Sequence, residues 1–307
     1  MWPSSAGWRN GAPDRAWPPV PDFSHAPVLV REVEALVAPA PGRRVLDCTL
    51  GLGGHAERLL AGGCELTGVD RDPAALARAA ERLAGHAPRF TPWPGTFADA
   101  VEDHAARGVR FDAVLADLGV SSMQLDDAAR GFSIRSPERA AMTMSGQRPD
   151  AVDFIAAAGE TGIADMLVRY GEEHRPRAVA RALCRAVAEG RTTGADLAEA
   201  VRRAIPGRHP RHPAMRAFQA LRIAVNDELG QLERLLDRVA DILAPGGIAI
   251  LISFHSLEDR LVKHRFRDQV AAGRLAAAAR KPVVPDDEEQ AGNPRSTSAK
   301  LRWGRVP

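Results

Sequence analysis

Two acids and a run of glycines carry the chemistry most legible in this chain. Asp47 closes the apolar run Val45-Leu46, the turn Gly51-Leu52-Gly53-Gly54-His55 follows, and a helical segment opens at Ala56-Glu57-Arg58-Leu59-Leu60. A second run, Glu65-Leu66-Thr67-Gly68-Val69, ends in Asp70. Glycine lets backbone come close to a ligand, and a helix N-terminus offers free N–H groups. An acid ending the second strand can accept both hydroxyls of a ribose. The segment therefore reads as a nucleotide-cradling βαβ unit. Its turn lacks the third glycine of G-x-G-x-x-G, so the pattern alone does not name the nucleotide. Asp47 stands where it can receive a cationic amino-acid head, and the tight Gly53-Gly54-His55 turn has no diphosphate to accommodate. These residues favour S-adenosylmethionine over a dinucleotide. The competing reading is a tight turn with no ligand.

Three further segments end apolar runs, where open α/β sheets bind their ligands. Gly95-Thr96-Phe97 offers an aromatic ring that can stack on adenine or simply join the core. Asp117-Leu118-Gly119-Val120-Ser121-Ser122 offers the strongest catalytic candidate. Methylating an exocyclic amine requires acceptors for its N–H groups, so that the nitrogen turns tetrahedral and frees its lone pair in line with the methyl carbon. The Asp117 carboxylate and the Leu118 carbonyl can supply them, although Asp117 can equally cap a turn or touch the cofactor. Ser253-Phe254-His255-Ser256-Leu257-Glu258-Asp259 brings His255, either a base near its ordinary titration range or a hydrogen-bonded positioning group, with Ser256 beside it. Glu258 and Asp259 suit the N-terminal dipole of the next helix. His209 and His212 lack a third ligand, so no metal is expected.

Alternating strands and helices must position these groups. His25–Val37 reads as a strand-to-helix lead-in. Pro73–Leu83 reads as a helix with Asp72 as N-cap and Pro73 at its first position. Strands follow at 90–96 and 111–116. From Gln124 to Pro213 strands disappear, and helical periodicity appears at 152–158, 162–170, 175–188 and 194–204. Helices at 214–226 and 228–243 lead to a buried strand at 248–253. Strands that resume after a helical interlude imply an inserted domain. The expected division is a poorly ordered Pro/Gly/Trp-rich extension at 1–22, an α/β domain at 23–123 plus 214–307, and an all-helical domain at 124–213. The tail from Ala271 carries little pattern.

Composition bounds the class. The 307 residues, 45% hydrophobic and 26% charged, fit a soluble globular protein with a substantial core. No long apolar run or signal core is present, so no membrane association and a cytoplasmic location are expected. Cys48, Cys64 and Cys184 show neither metal nor disulfide spacing. The net charge of +2 hides an uneven distribution: His174–Arg216 holds ten arginines against three acids. Such a segment fits a phosphate-bearing partner, although arginine replaces lysine almost everywhere in this chain.

Taken together, the blocks Asp47–His55, Asp70-Arg71-Asp72-Pro73, Asp117–Asp126, Arg130-Gly131-Phe132-Ser133, Tyr170-Gly171-Glu172-Glu173, Phe218–Ile223, Ser253–Arg260 and Asn293-Pro294-Arg295-Ser296 resemble the RsmH/MraW family from about His25 to Arg302. His25-Ala26-Pro27-Val28-Leu29 and His212-Pro213-Ala214 match as well. The resemblance implies a Rossmann-like class I methyltransferase sheet with a helical insertion. It implies S-adenosyl-L-methionine as cofactor and methylation of cytidine N4 in the decoding region of small-subunit (16S) rRNA. By the same resemblance, cofactor contacts fall on Gly53, Gly54, His55, Asp70, Phe97, Asp117 and Gln124. Asp47 and Gly51 join them from the loop itself. The small ribosomal subunit RNA is the expected partner, and a homodimer is compatible with the sequence. The family's Pro-Leu-Asp-Met-Arg-Met run is replaced by Arg139-Ala140-Ala141-Met142-Thr143-Met144. Met215 stands for a usual Thr and Ala56 for a usual Ser. The alternatives are a paralogue acting on another RNA, a peptide or a metabolite, and a non-catalytic assembly module.

Overall fold

A computed structural model describes residues 27–307. The expected extension at 1–22, with His25 and Ala26, lies outside the described residues. Seven strands form one sheet in the order β3-β2-β1-β4-β5-β7-β6. The parallel strands are β1 (Arg44–Asp47), β2 (Glu65–Asp70), β3 (Phe90–Pro94), β4 (Phe111–Asp117) and β5 (Leu243–Ser253). β7 (Lys300–Arg305) runs antiparallel between β5 and β6 (Ala277–Ala278).

Period-two patterning divides the sheet between two cores. Ala113 and Leu115 of β4, with Ile248, Ile250 and Ile252 of β5, face α1 (Val30–Val37), α2 (Gly54–Ala61) and α3 (Pro73–Leu83). Val114, Ala116, Ala249 and Leu251 face the other way, toward α4 (Phe97–Ala106), α10 (Glu228–Arg238) and α11 (Ser256–Ala271). Strand order reverses between β1 and β4, and this switch point opens a crevice at the carboxyl ends of the strands.

A third core is built by helices, with Ala140 and Met142 added from the loop ahead of them: α6 (Ala151–Gly171), α7 (Pro176–Ala188), α8 (Gly194–Ala204) and α9 (Ala214–Asn226). Gly159, at φ 63° and ψ −177°, breaks α6 into the two helical stretches expected from periodicity. α9 buries Ala214, Ala217, Phe218, Ala220 and Leu221 in this core, although the sequence division put it with the sheet. Its apolar face is turned to α6, and periodicity alone does not say which layer such a face covers.

Other differences have local causes. The segment ahead of Val30 is a turn rather than a strand, with Leu29 in the left-handed region at φ 53°. β3 stops at Pro94, because Thr96 caps α4 by accepting the Asp99 N–H at 3.2 Å. Phe97 therefore begins a helix instead of ending a strand. The helix expected to reach 243 ends at Arg238 and passes through a 3-10 turn, Val239–Ile242. The tail holds β6, β7 and the short α12 (Asp287–Gly292). β7 escaped the pattern because Arg302, only 4% exposed, sits at a core position, where Asp259 Oδ1 accepts its Nε–H at 2.6 Å. No helix among the described residues is long and apolar enough to cross a membrane.

Candidate active site

The crevice at the switch point is a cavity of about 870 Å³. Its floor is the loop after β1. Gly51 adopts φ 53°, and its N–H donates to Asp70 Oδ2 at 2.9 Å. Asp70 Oδ1 accepts the Asp72 N–H at 2.8 Å, so one carboxylate ties the glycine turn to the start of α3. Burial raises the Asp70 carboxyl above its ordinary value, against the two backbone donors. Gly54 lines the cavity beside Pro27, where a Cβ would come within 2.8 Å of the proline ring. Gly53 does not line it: at φ 77° it caps α2, and a Cβ there would press Leu83 at 3.2 Å. Its role is to shape the turn.

Asp47 also departs from expectation. It is 2% exposed, lies outside the cavity lining, and accepts the Thr49 N–H at 3.1 Å. Burial pushes its carboxyl up to about 6, opposed by His55. The strand's last side chain points behind the loop, so Asp47 braces the turn.

His55 and Asp117 come together at the cavity wall. His55 Nε2 lies 3.7 Å from Asp117 Oδ2. Thr49 Oγ1 accepts the Asp117 N–H at 2.6 Å, and Ile252 O accepts the Leu118 N–H at 2.9 Å, fixing the segment from both sides. His55 Nε2 and Asp117 Oδ1 are buried without a hydrogen-bond partner among the described residues. Orphaned polar atoms at a cavity wall call for a polar ligand. Phe97 lines the same cavity while packing on the core beneath α4.

Gln124 lines the wall from α5 (Ser122–Asp126) and is 5% exposed. Its Oε1 accepts the Ser121 N–H at 3.1 Å, and its Nε2 donates to Met144 O at 3.1 Å. The Arg139–Met144 stretch thus reaches the cavity through Met144. The rest of that stretch is structural. Arg139 pairs with Asp150 at 2.6 Å and Asp153 at 3.0 Å, while Ala140 and Met142 are buried in the helical core.

His255 turns back onto the helix it precedes. Its Nδ1 accepts the Glu258 N–H at 3.3 Å, and Glu258 Oε2 accepts the Phe254 and His255 N–H groups at 2.9 and 3.2 Å. Neither His255 nor Ser256 lines the cavity, and Ser256 is exposed on the first turn of α11. Their absence from the lining follows from the cap: His255 turns inward onto the first turn of α11. With Nδ1 accepting, a neutral ring keeps its proton on Nε2, which faces Glu258 Oε1 at 3.1 Å. Burial pushes the Glu258 carboxyl up, but His255, Arg222 and the Phe254 N–H together hold it below its ordinary value.

Sequence reasoning missed the inner wall. Arg222, Asn226, Glu228, Gln231 and Glu258 all line the cavity. Donor atoms of Glu228, His255 and Glu258 lie within 4.8 Å of one another. Arg222 engages both Glu228 oxygens at 2.8 Å, so these groups are already committed to one another. The cluster is an ion-pair network around Arg222. His209 and His212 make only local contacts, to Ile205 O at 3.1 Å and the Ala214 N–H at 3.2 Å. The signal that was present is polar residues on the apolar faces of α9 and α10: Asn226 is 2% exposed and Gln231 9%.

The family model described as the MraW methylase family matches residues 22–306. Ribosomal RNA small subunit methyltransferase H of Anaeromyxobacter sp. (strain K) is 46% identical over 301 residues, covering 92% of this chain and 97% of that protein. The protein of the same name from Deinococcus radiodurans is 44% identical, covering 92% and 90%. That of Sorangium cellulosum is 45% identical and covers 96% of each chain.

Proposed function

Because this chain belongs to the MraW methylase family, we propose that it methylates N4 of a cytidine in the decoding region of small-subunit rRNA. It is an S-adenosylmethionine-dependent methyltransferase of ribosomal RNA. The observation that carries the finer reading is the pair of orphaned atoms, His55 Nε2 and Asp117 Oδ1, at the wall of the switch-point cavity. The residues fit the cofactor: Gly51 and Gly54 of the turn, the Asp70 carboxylate at the end of β2 and the Phe97 ring all line one cavity.

The bound cofactor supplies an electrophilic methyl on a sulfonium. Everything else falls to the chain. Asp70 holds ribose hydroxyls with lone pairs its two backbone donors leave free. Asp117 Oδ1 accepts an N–H of the target amine, and the Leu118 carbonyl accepts the second. Two acceptors pull the nitrogen toward a tetrahedral shape and aim its lone pair. The cytidine leaves its stack to reach this depth. The helical unit holds the surrounding RNA. Among its ten arginines from Arg175 to Arg216, Arg181, Arg191, Arg202 and Arg203 are paired with acids. Arg175, Arg177, Arg185, Arg208, Arg211 and Arg216 are exposed and carry no ion pair among the described residues, which suits phosphates. The work is done on the small ribosomal subunit, in the cytoplasm.

A paralogue turned to another substrate is not favoured, because similarity to the rRNA enzymes extends over both the sheet and the helical unit. The test is methyl transfer from labelled S-adenosylmethionine to unmethylated small subunits. Label in rRNA supports the reading. Tight cofactor binding with label only in peptide or metabolite would refute the substrate assignment.

A further inference from the structure

We propose that Gln231 reads the edge of the cofactor's adenine ring, accepting a hydrogen bond from its exocyclic amine. This rests on reading the cavity as the S-adenosylmethionine site. Helices α4 and α10 both start at the cavity end of the sheet: α4 leaves β3, and α10 runs down to enter β5 from below. They lie side by side, joined where Arg234 pairs with Asp99 and Glu102 at 2.7 Å. Gln231 stands one turn before Arg234, and Phe97 stands just before Asp99. The carboxamide and the aromatic ring therefore share one level at the rim.

Gln231 is 9% exposed and lines the cavity, and its Oε1 has no hydrogen-bond partner among the described residues. Next to it, Leu232 is buried in the core on which Phe97 also packs. Arg71, directly after Asp70, closes the same end: Asn226 O accepts its Nη1–H at 2.8 Å. A ribose held by Asp70 must direct its base along this wall, past Arg71 toward Phe97 and Gln231. A carboxamide presents an acceptor and a donor side by side, the complement of adenine's amine and the ring nitrogen next to it. A half-turn about the last side-chain torsion exchanges oxygen and NH₂ at the wall, so the match needs no backbone movement. A buried carboxamide oxygen left unpaired is costly, and the adenine amine supplies the missing donor.

Calorimetric binding tests this without turnover. The probes are S-adenosylhomocysteine and its 6-deamino purine analogue, titrated into the full chain and into Gln231→Leu and Gln231→Met. Wild type should prefer the amine-bearing ligand by about 10-fold, the worth of one good hydrogen bond. Both variants should bind the two ligands within about twofold of each other, because the acceptor that distinguishes them is gone. Met preserves side-chain length, and melting curves confirm that each variant is folded. A preference that survives in both variants overturns the role of Gln231. Failure of wild type to bind S-adenosylhomocysteine at all would instead overturn the cofactor reading beneath it.

Discussion

At the scale of single residues, the site separates groups that line the cavity from groups that hold those groups still. Asp117 belongs to the first kind, with Oδ1 orphaned at the cavity wall. Asp47, at the end of β1, belongs to the second, and its burial makes a pH prediction. Its carboxyl is raised from 3.8 to about 6 when folded. The folded chain then binds that proton more tightly than the unfolded chain does. Stability falls as pH climbs from about 4 to about 6, and the full penalty, about 3 kcal/mol, persists above that window. Asp47→Asn keeps an acceptor for the Thr49 N–H and removes the penalty. The ligand-free variant should melt higher than wild type at pH 7.5, with the gap closing toward pH 4. A gap of constant size would contradict this account. Residue types and spacing made Asp70, Asp117 and His55 legible. His255 and Ser256 were misplaced because a sequence does not say whether a side chain at a helix start turns inward to cap it.

At the scale of elements, the strands, glycine turn and most helices were legible because period-two and helical patterns were intact. The α3 cap is one case: Asp72 accepts the Ala74 N–H at 3.0 Å, with Pro73 following. The seam between the sheet and the helical unit was not legible, since it is built from backbone groups that no pattern encodes. Asn226 Oδ1 accepts the Met144 N–H, and its Nδ2 donates to Met142 O and Arg222 O, each at 2.8 Å. Arg130 crosses the same seam to Asp72 Oδ2 at 2.7 Å. The stretch Arg139–Met144 is thus tied to the seam by the backbone of Met142 and Met144 as well as by its own buried and paired side chains. Asn226→Ala should lower stability by about 2–4 kcal/mol in urea unfolding, because it strands buried donors and acceptors. A loss below about 0.5 kcal/mol would mean the seam is held elsewhere.

At the scale of the whole molecule, a cavity for the cofactor opens beside a helical unit whose exposed arginines suit phosphates. The charge count in the sequence overstated that surface, because four of the ten arginines are paired with neighbouring acids. Arg208→Ala with Arg211→Ala should weaken small-subunit RNA binding and flatten its dependence on the logarithm of salt concentration, by about 0.7–0.9 for each phosphate no longer neutralised. S-adenosylhomocysteine binding should stay unchanged. An unaltered salt slope would remove these arginines from the RNA interface. The most direct test of the central claim is to digest small-subunit rRNA after reaction with labelled S-adenosylmethionine and identify the labelled nucleoside, for wild type and Asp117→Ala. The account predicts N4-methylcytidine with wild type and at least about 100-fold less with the variant. Label on another nucleoside, or undiminished label with Asp117→Ala, would contradict it.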